Sequence, residues 1–244
     1  MLRADDSGDV PQNRHAVPQL TKITLDDSVR LNQVQVIGTH NSYHAGLAPS
    51  QAALVRKADP ALADALEYKH SSLDVQLTNG VRQLKLDVLY DPSGGKYAHP
   101  KGLAEIRKAS LPPDPPVDPK NVFRFPGFKV MHNPDYDYRS NCQPFVACLE
   151  TIKQWSKAHP SHLPIFVFVE NKKFQNLTTK AMDDLDAEIA SVFSRSDLVE
   201  PDDVRGAYST LDEAVRKQGW PSLSRTRGKV IFLLAKSELR DVSY

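Results

Sequence analysis

Apolar positions along the chain gather into five short runs, and the stretches between them carry hydrophobic residues at helical spacing. The first run, Val34 to Ile37, breaks at Gly38 and delivers Thr39, His40, Asn41, Ser42 and Tyr43 into a loop. Helical character follows over Ala48 to Ala58 and Pro60 to His70, with a break at Asp59–Pro60. In Ser71 to Asn79, Leu73 and Leu77 stand one helical step apart, and Asn79–Gly80 closes the segment. Val81 to Tyr90 alternates: Leu84, Leu86 and Val88 point one way, Lys85, Asp87 and Leu89 the other. Asp91 to Gly95 reads as a turn, and the proline-dense stretch 108–127 as an insertion without regular structure. Phe128 to Met131 predicts a third strand that ends in His132–Asn133–Pro134. A helix over Pro144 to His159 follows, with Leu149, Ile152 and Trp155 on one face and Trp155 as a packing residue. Pro164 to Val169 is continuously apolar, as a strand buried on both faces of a parallel sheet would be, and runs into Glu170–Asn171–Lys172. Ala181 to Phe193 predicts an amphipathic helix, Leu211 to Gln218 a shorter one, and Lys229 to Leu234 the fifth strand.

Strands alternating with helical crossovers specify a parallel α/β fold. Four of the five strands end in polar, ionisable groups: His40 and Asn41; Lys85 and Asp87; His132; Glu170 and Lys172. Such groups on several strand ends favour a TIM-type (β/α) barrel over an open doubly wound sheet with one switch point. In a barrel, Lys85 and Asp87 look toward the axis, where they must pair or bind something. The other reading is a solvated edge strand carrying both charges outward.

A formal net charge of +1 over 244 residues gives no basic surface for nucleic acid. No apolar run reaches bilayer length, so no transmembrane segment is expected, and the first fifteen residues do not form a signal peptide. Residues 1–30 read as a polar arm that partly drapes over the fold, and 31–244 as one domain cut short at its C-terminus. Cys142 and Cys148 would stand about 9 Å apart along a continuous helix, too far to bridge. Pro144 suits a first helical position, which leaves Cys142 in the preceding loop and able to fold back. Either a local disulfide forms, implying an oxidising compartment, or both thiols stay reduced.

Two histidines, two carboxylates, an asparagine and a lysine at one barrel mouth suit phosphodiester cleavage. That reaction needs a base for the attacking hydroxyl, an acid for the leaving oxygen, and positive charge for the developing phosphorane. Histidines divide acid and base duties near neutral pH. Asn41, Asp87 and Glu170 carry oxygens of the kind a Ca²⁺ or Mg²⁺ ion takes. No Gly-rich phosphate loop follows the first strand.

IGTHNSYH, VRQLKLDVLYD after a helix ending in Asn-Gly, KVMHNPDYD before the Trp155 helix, and PIFVFVENK together resemble the calcium-dependent phosphatidylinositol-specific phospholipases C of bacteria and fungi. The resemblance runs from Gln33 to Lys173. It implies an eight-stranded barrel, of which five strands are visible, and a secreted enzyme that meets phospholipid headgroups at a membrane surface. It implies His40 and His132 as the catalytic pair and Asn41, Asp87 and Glu170 as Ca²⁺ ligands. Lys172 becomes a phosphate-binding candidate by likeness to glycerophosphodiester phosphodiesterases and phospholipase D-like hydrolases, which are alternative activities. The family pattern has Glu-x-Asp where this chain has Lys85-Leu86-Asp87. Lys85 therefore either replaces the metal, pairing with Asp87 or Glu170 and facing the substrate, or swings aside and leaves weak Ca²⁺ binding, or marks an inactive barrel that binds phosphoinositide or a protein.

Overall fold

Five strands share one sheet in the computed structural model of the chain, which describes residues 25–171 and 178–235. They are β1 (Ile37–Thr39), β2 (Val81–Leu89), β3 (Lys129–Val130), β4 (Ile165–Asn171) and β5 (Val230–Leu234). The order β1-β2-β4-β5 is parallel throughout, and β3 lies antiparallel against the end of β2. Among the described residues the sheet stays open, with β1 and β5 at its two ends. The helices described around it are α1 (Leu25–Ser28), α2 (Pro49–Ala58), α3 (Pro60–Ala65), α4 (Leu73–Thr78), α5 (Lys101–Lys108), α6 (Phe145–Ala158), α7 (Thr179–Val192), α8 (Pro201–Arg205), α9 (Leu211–Lys217) and α10 (Leu223–Thr226).

The alternation of β2 decides the layering. Leu84, Leu86 and Val88 are fully buried in a core shared with Leu77 of α4, Leu149 and Ile152 of α6, Val167 of β4 and Val230 of β5. Burying each such side chain stabilises the fold by about 1.5–3 kcal/mol. Lys85 and Asp87 occupy the opposite face of a central strand, so the solvated-edge reading is excluded. The parallel register sets Asp87 beside Glu170 and Lys85 beside Phe168.

Trp155 packs as expected: it stacks on His159 at 4.2 Å, carries the Arg82 guanidinium at 4.7 Å, and donates to Thr78 Oγ1. Cys142 folds back from the loop before α6 and forms a disulfide with Cys148. The described end of the N-terminal arm is tied down by an Asp26–Arg227 ion pair and by Leu31 N–H to the Pro221 carbonyl.

Several elements differ from the sequence reading. The first strand is Ile37–Thr39 rather than Val34–Ile37; it runs through Gly38, where the Gln83 side chain lies so close that an added Cβ would sit 2.1 Å from Oε1. Ile37 is 67% exposed, because nothing described covers the outer side of this edge. The helix expected over Pro60 to His70 ends at Ala65, freeing Tyr68 and His70 to reach the strand ends. Strand β3 holds two residues instead of four and runs antiparallel to the end of β2. The long connection between them, which includes α5, returns the chain to the end of the sheet it left rather than crossing it. β4 is buried on one face only; Phe168 on the other is 38% exposed, for the open sheet leaves that face uncovered.

The stretch 108–127 carries no regular element beyond a short 3-10 turn at Val122–Arg124, as expected, while a helix the sequence reading did not place lies just before it. Helix α5 packs through Ile106, and Phe123, Met131, Tyr138 and Tyr97 form a second core around Leu89. Gly94, in the turn after β2, has φ +75°, and a Cβ there would meet the Arg124 carbonyl at 2.2 Å. Gly94→Ala is expected to cost about 1–3 kcal/mol, read as a lower urea midpoint; unchanged stability would contradict this packing.

Candidate active site

Side chains from four of the five strand ends converge, and the loop after β1 is pinned first. Ser42 N–H donates to the Lys85 carbonyl at 2.9 Å, and the Lys85 N–H donates to Ser42 Oγ at 2.8 Å. Asn41 takes a left-handed φ of 50°, which its short amide side chain tolerates better than most residues. Its carboxamide then spans two partners: Nδ2 donates to the Tyr68 hydroxyl at 3.0 Å, and Oδ1 accepts from Lys85 Nζ at 3.2 Å.

Lys85 Nζ is the hub. It lies 2.6 Å from Asp87 Oδ1 and forms a second ion pair with Glu170. The other oxygen of Asp87 accepts from the Tyr43 hydroxyl at 2.7 Å. Burial works against the ammonium, yet the two carboxylates outweigh it and raise the Lys85 pKa above its ordinary value. Tyr43 is pushed well above the usual phenol range by burial and then by the Asp87 charge.

A second centre adjoins it. Asn133 accepts from the Asp135 and Tyr136 N–H groups and pairs its backbone with Asp137, so the segment after β3 turns tightly and sets Asp137 beside His132. Asp137 Oδ2 lies 2.9 Å from His132 Nδ1, and Oδ1 lies 2.9 Å from His44 Nε2. His44 stacks on Tyr68 at 4.4 Å, and its Nδ1 faces the Tyr68 carbonyl at 3.0 Å. Tyr68 meets His70 edge-on, and His70 Nε2 reaches the His40 carbonyl at 2.9 Å.

Asn41, Asp87 and Glu170 thus surround the Lys85 ammonium, and His132 joins them through Asp137, His44 and Tyr68. His40 stands in the same loop, exposed, with its backbone held by His70. Lys172 lies outside the described residues. Tyr43, His44, Tyr68 and Asp137 carry the network between the sequence-predicted residues. The spacing of His132 and Asp137 across one short polar turn was the available signal for the last of these.

Calcium does not fit this residue set. The three oxygens expected to ligate it converge on Lys85 Nζ instead. A cation about 4 Å from an ammonium is repelled by about 4 kcal/mol per unit charge at an effective dielectric near 20. Among the described residues no cluster of three or more His, Cys, Asp or Glu side chains could hold a metal ion. In this structure Asn41, Asp87 and Glu170 serve as acceptors for the Lys85 ammonium.

The architecture is that of the phospholipase C barrels. A calcium-dependent phosphoinositol-specific phospholipase C from Pseudomonas sp. superposes with a TM-score of 0.55 at 21% identity, covering 88% of this chain and 60% of that one. Its myo-inositol complex gives 0.53 at 20% identity, with 86% and 58% covered. A Ca²⁺-dependent phosphatidylinositol-specific phospholipase C from Streptomyces antibioticus gives 0.50 at 23%, with 86% and 55% covered. At these identities the likeness shows the fold, and the chain spans 55–60% of the length of these structures. The sequence profile of phosphoinositide phospholipase C, Ca²⁺-dependent, matches residues 29–244, and the chain belongs to that family. A search of curated proteins finds no match.

Proposed function

We propose that the chain is a phosphodiesterase that cleaves phosphatidylinositol-type phospholipid to diacylglycerol and cyclic inositol phosphate, with Lys85 as its resident cation. The observation that carries this is the Lys85 ammonium held among Asn41, Asp87 and Glu170. Where the family pattern has Glu-x-Asp, a glutamate with Ca²⁺ carries one net positive charge, and so does a lysine. The exchange therefore preserves the charge of the site while dispensing with the ion.

His40 assists removal of the proton from the inositol 2-hydroxyl, which attacks phosphorus. The bond from phosphorus to the diacylglycerol oxygen breaks, and His132 supplies the proton that oxygen needs. Asp137 holds the ring of His132 through Nδ1, so the exposed edge of this half-buried side chain is the one bearing Nε2. Lys85 faces the phosphoryl oxygens and Lys172 is a second substrate-binding candidate. The headgroup is met at the bilayer surface; no helix among the described residues is long and apolar enough to cross a membrane. The Cys142–Cys148 disulfide supports an oxidising, extracellular setting.

One observation favours a second reading. Lys85 is already shared by two carboxylates, which leaves the trio with one net negative charge and little pull on a phosphate. That suits an inactive barrel binding phosphoinositide or a protein. Phosphorus NMR of phosphatidylinositol vesicles incubated with the purified chain separates the two. A cyclic inositol phosphate signal is expected. Vesicle co-sedimentation with no phosphorus product would establish the binding module, and release of a different headgroup would move the chain to the related phosphodiesterases.

A further inference from the structure

We infer that His44 is a buried imidazolium, protonated on both ring nitrogens, and that with Asp137 it forms an internal ion pair that positions His132 with a proton on Nδ1. The inference comes from counting donors and acceptors. His44 Nδ1 faces the Tyr68 backbone carbonyl, which can only accept, so Nδ1 must carry a proton. His44 Nε2 faces Asp137 Oδ1 at 2.9 Å, and an ionised carboxylate also only accepts. A neutral imidazole has one N–H and cannot serve both. The second oxygen of Asp137 accepts from His132 Nδ1, which fixes the His132 tautomer.

Burial makes this arrangement consequential. The His44 side chain is fully buried and that of Asp137 is 2% exposed, so neither charge is solvated and each is balanced by the other. Burial on its own would raise the Asp137 pKa; hydrogen bonds from His132 and His44 reverse that and hold it below the ordinary aspartate value. The other ionisable neighbours are accounted for. Tyr68 stacks on His44, and His70 meets Tyr68 edge-on. Tyr43, Asp87 and Lys85 satisfy one another. Arg139 bonds Gln51 and the Pro115 carbonyl, and Asp135 pairs with Lys101.

The consequence concerns His132. Its partner carboxylate is already matched by His44, so Asp137 orients the ring without adding a full unbalanced charge beside it. His132 can then exchange a proton at Nε2 alone, the property a general acid needs. His44 and Asp137 are positioning residues, and only this last step rests on the phosphodiesterase reading.

Long-range ¹H–¹⁵N histidine spectra of the labelled full chain test the inference without any substrate, with His132→Gln serving to assign that ring. At neutral pH both His44 nitrogens are expected at protonated-ring positions, and neutral His132 as the Nδ1–H tautomer. A single bare nitrogen on His44 would place the proton on Asp137 and overturn the assignment. In the near-isosteric Asp137→Asn variant, His44 is expected to become neutral; a ring still doubly protonated there would equally overturn it. The same variant should lower kcat about 10-fold or more with little change in KM and shift the acid limb of the rate profile, whereas a structural role alone would leave that limb in place. An unmodified chain without turnover would refute the phosphodiesterase and leave the spectra to decide His44.

Discussion

Lys85→Met is expected to abolish turnover and to destabilise the fold by about 3–5 kcal/mol, because it strands two carboxylates rather than one. Asp87 is fully buried and would keep the Tyr43 hydroxyl but lose its counter-charge; Glu170, its register partner on β4, would repel it across the sheet. Lys85→Glu goes further. In chelator it adds a third carboxylate to the cluster and should unfold at a lower temperature than Lys85→Met. With Ca²⁺, the introduced carboxylate joins the oxygens of Asn41, Asp87 and Glu170 around the ion, a hard-oxygen set of the kind calcium takes. Its melting temperature should therefore rise with calcium, by the equivalent of about 2.7 kcal/mol once the ion reaches ~100 times its dissociation constant. The unmodified chain should show no such rise. A Lys85→Met variant as stable as the unmodified chain would mean the ammonium neutralises nothing of consequence.

The second large effect concerns proton donation. His132→Ala should reduce kcat on phosphatidylinositol by roughly 10²–10⁴-fold, the usual contribution of a positioned acid. The fold should survive, since Asp137 keeps His44 and the His132 ring is 31% exposed. The diagnostic is a substrate whose leaving group is an aryl alcohol, which departs without a proton. On that substrate the deficit should shrink by at least about 10-fold. Equal losses on both substrates would assign His132 to holding the phosphate and not to the leaving oxygen.

What the sequence made legible follows from how strongly each residue's surroundings constrain it. β2 was readable because Leu84, Leu86 and Val88 alternate with charges, and only one face of a strand can accept that pattern. The helix carrying Leu149, Ile152 and Trp155 was readable for the same reason at a different period. β1 was displaced because Gly38 looked like a terminator, whereas at an open sheet edge it permits Gln83 to lie against the strand. The direction of β3 was hidden, since two residues carry no periodicity and the long connection through α5 brings the chain back to the end of β2 it left. Prolines concealed α5, which lies before them and is anchored by Ile106.

At the site, Asn41, Lys85, Asp87 and Glu170 stood out because charge beside an apolar strand has to be compensated. The supporting half was less visible. His44 and Tyr68 meet only because α3 stops at Ala65, and Asp137 reaches His132 only through the Asn133 turn. Those are tertiary facts, set by where helices end, and a linear pattern of residues does not carry them. Lys85 shows the converse: its departure from the family pattern and its pairing with Asp87 or Glu170 could be read from the sequence, and the fold shows it pairing with both.

The central claim is that the cation of this site is covalent, the amine of Lys85, and not an exchangeable ion. Initial rates of the unmodified chain on phosphatidylinositol vesicles, measured in excess chelator and again in calcium, test it most directly. Equal rates are predicted, with any calcium effect reproduced by an inert salt of the same ionic strength. Turnover that vanishes in chelator and returns with calcium would show that a metal enters beside Lys85 after all, and would contradict the account.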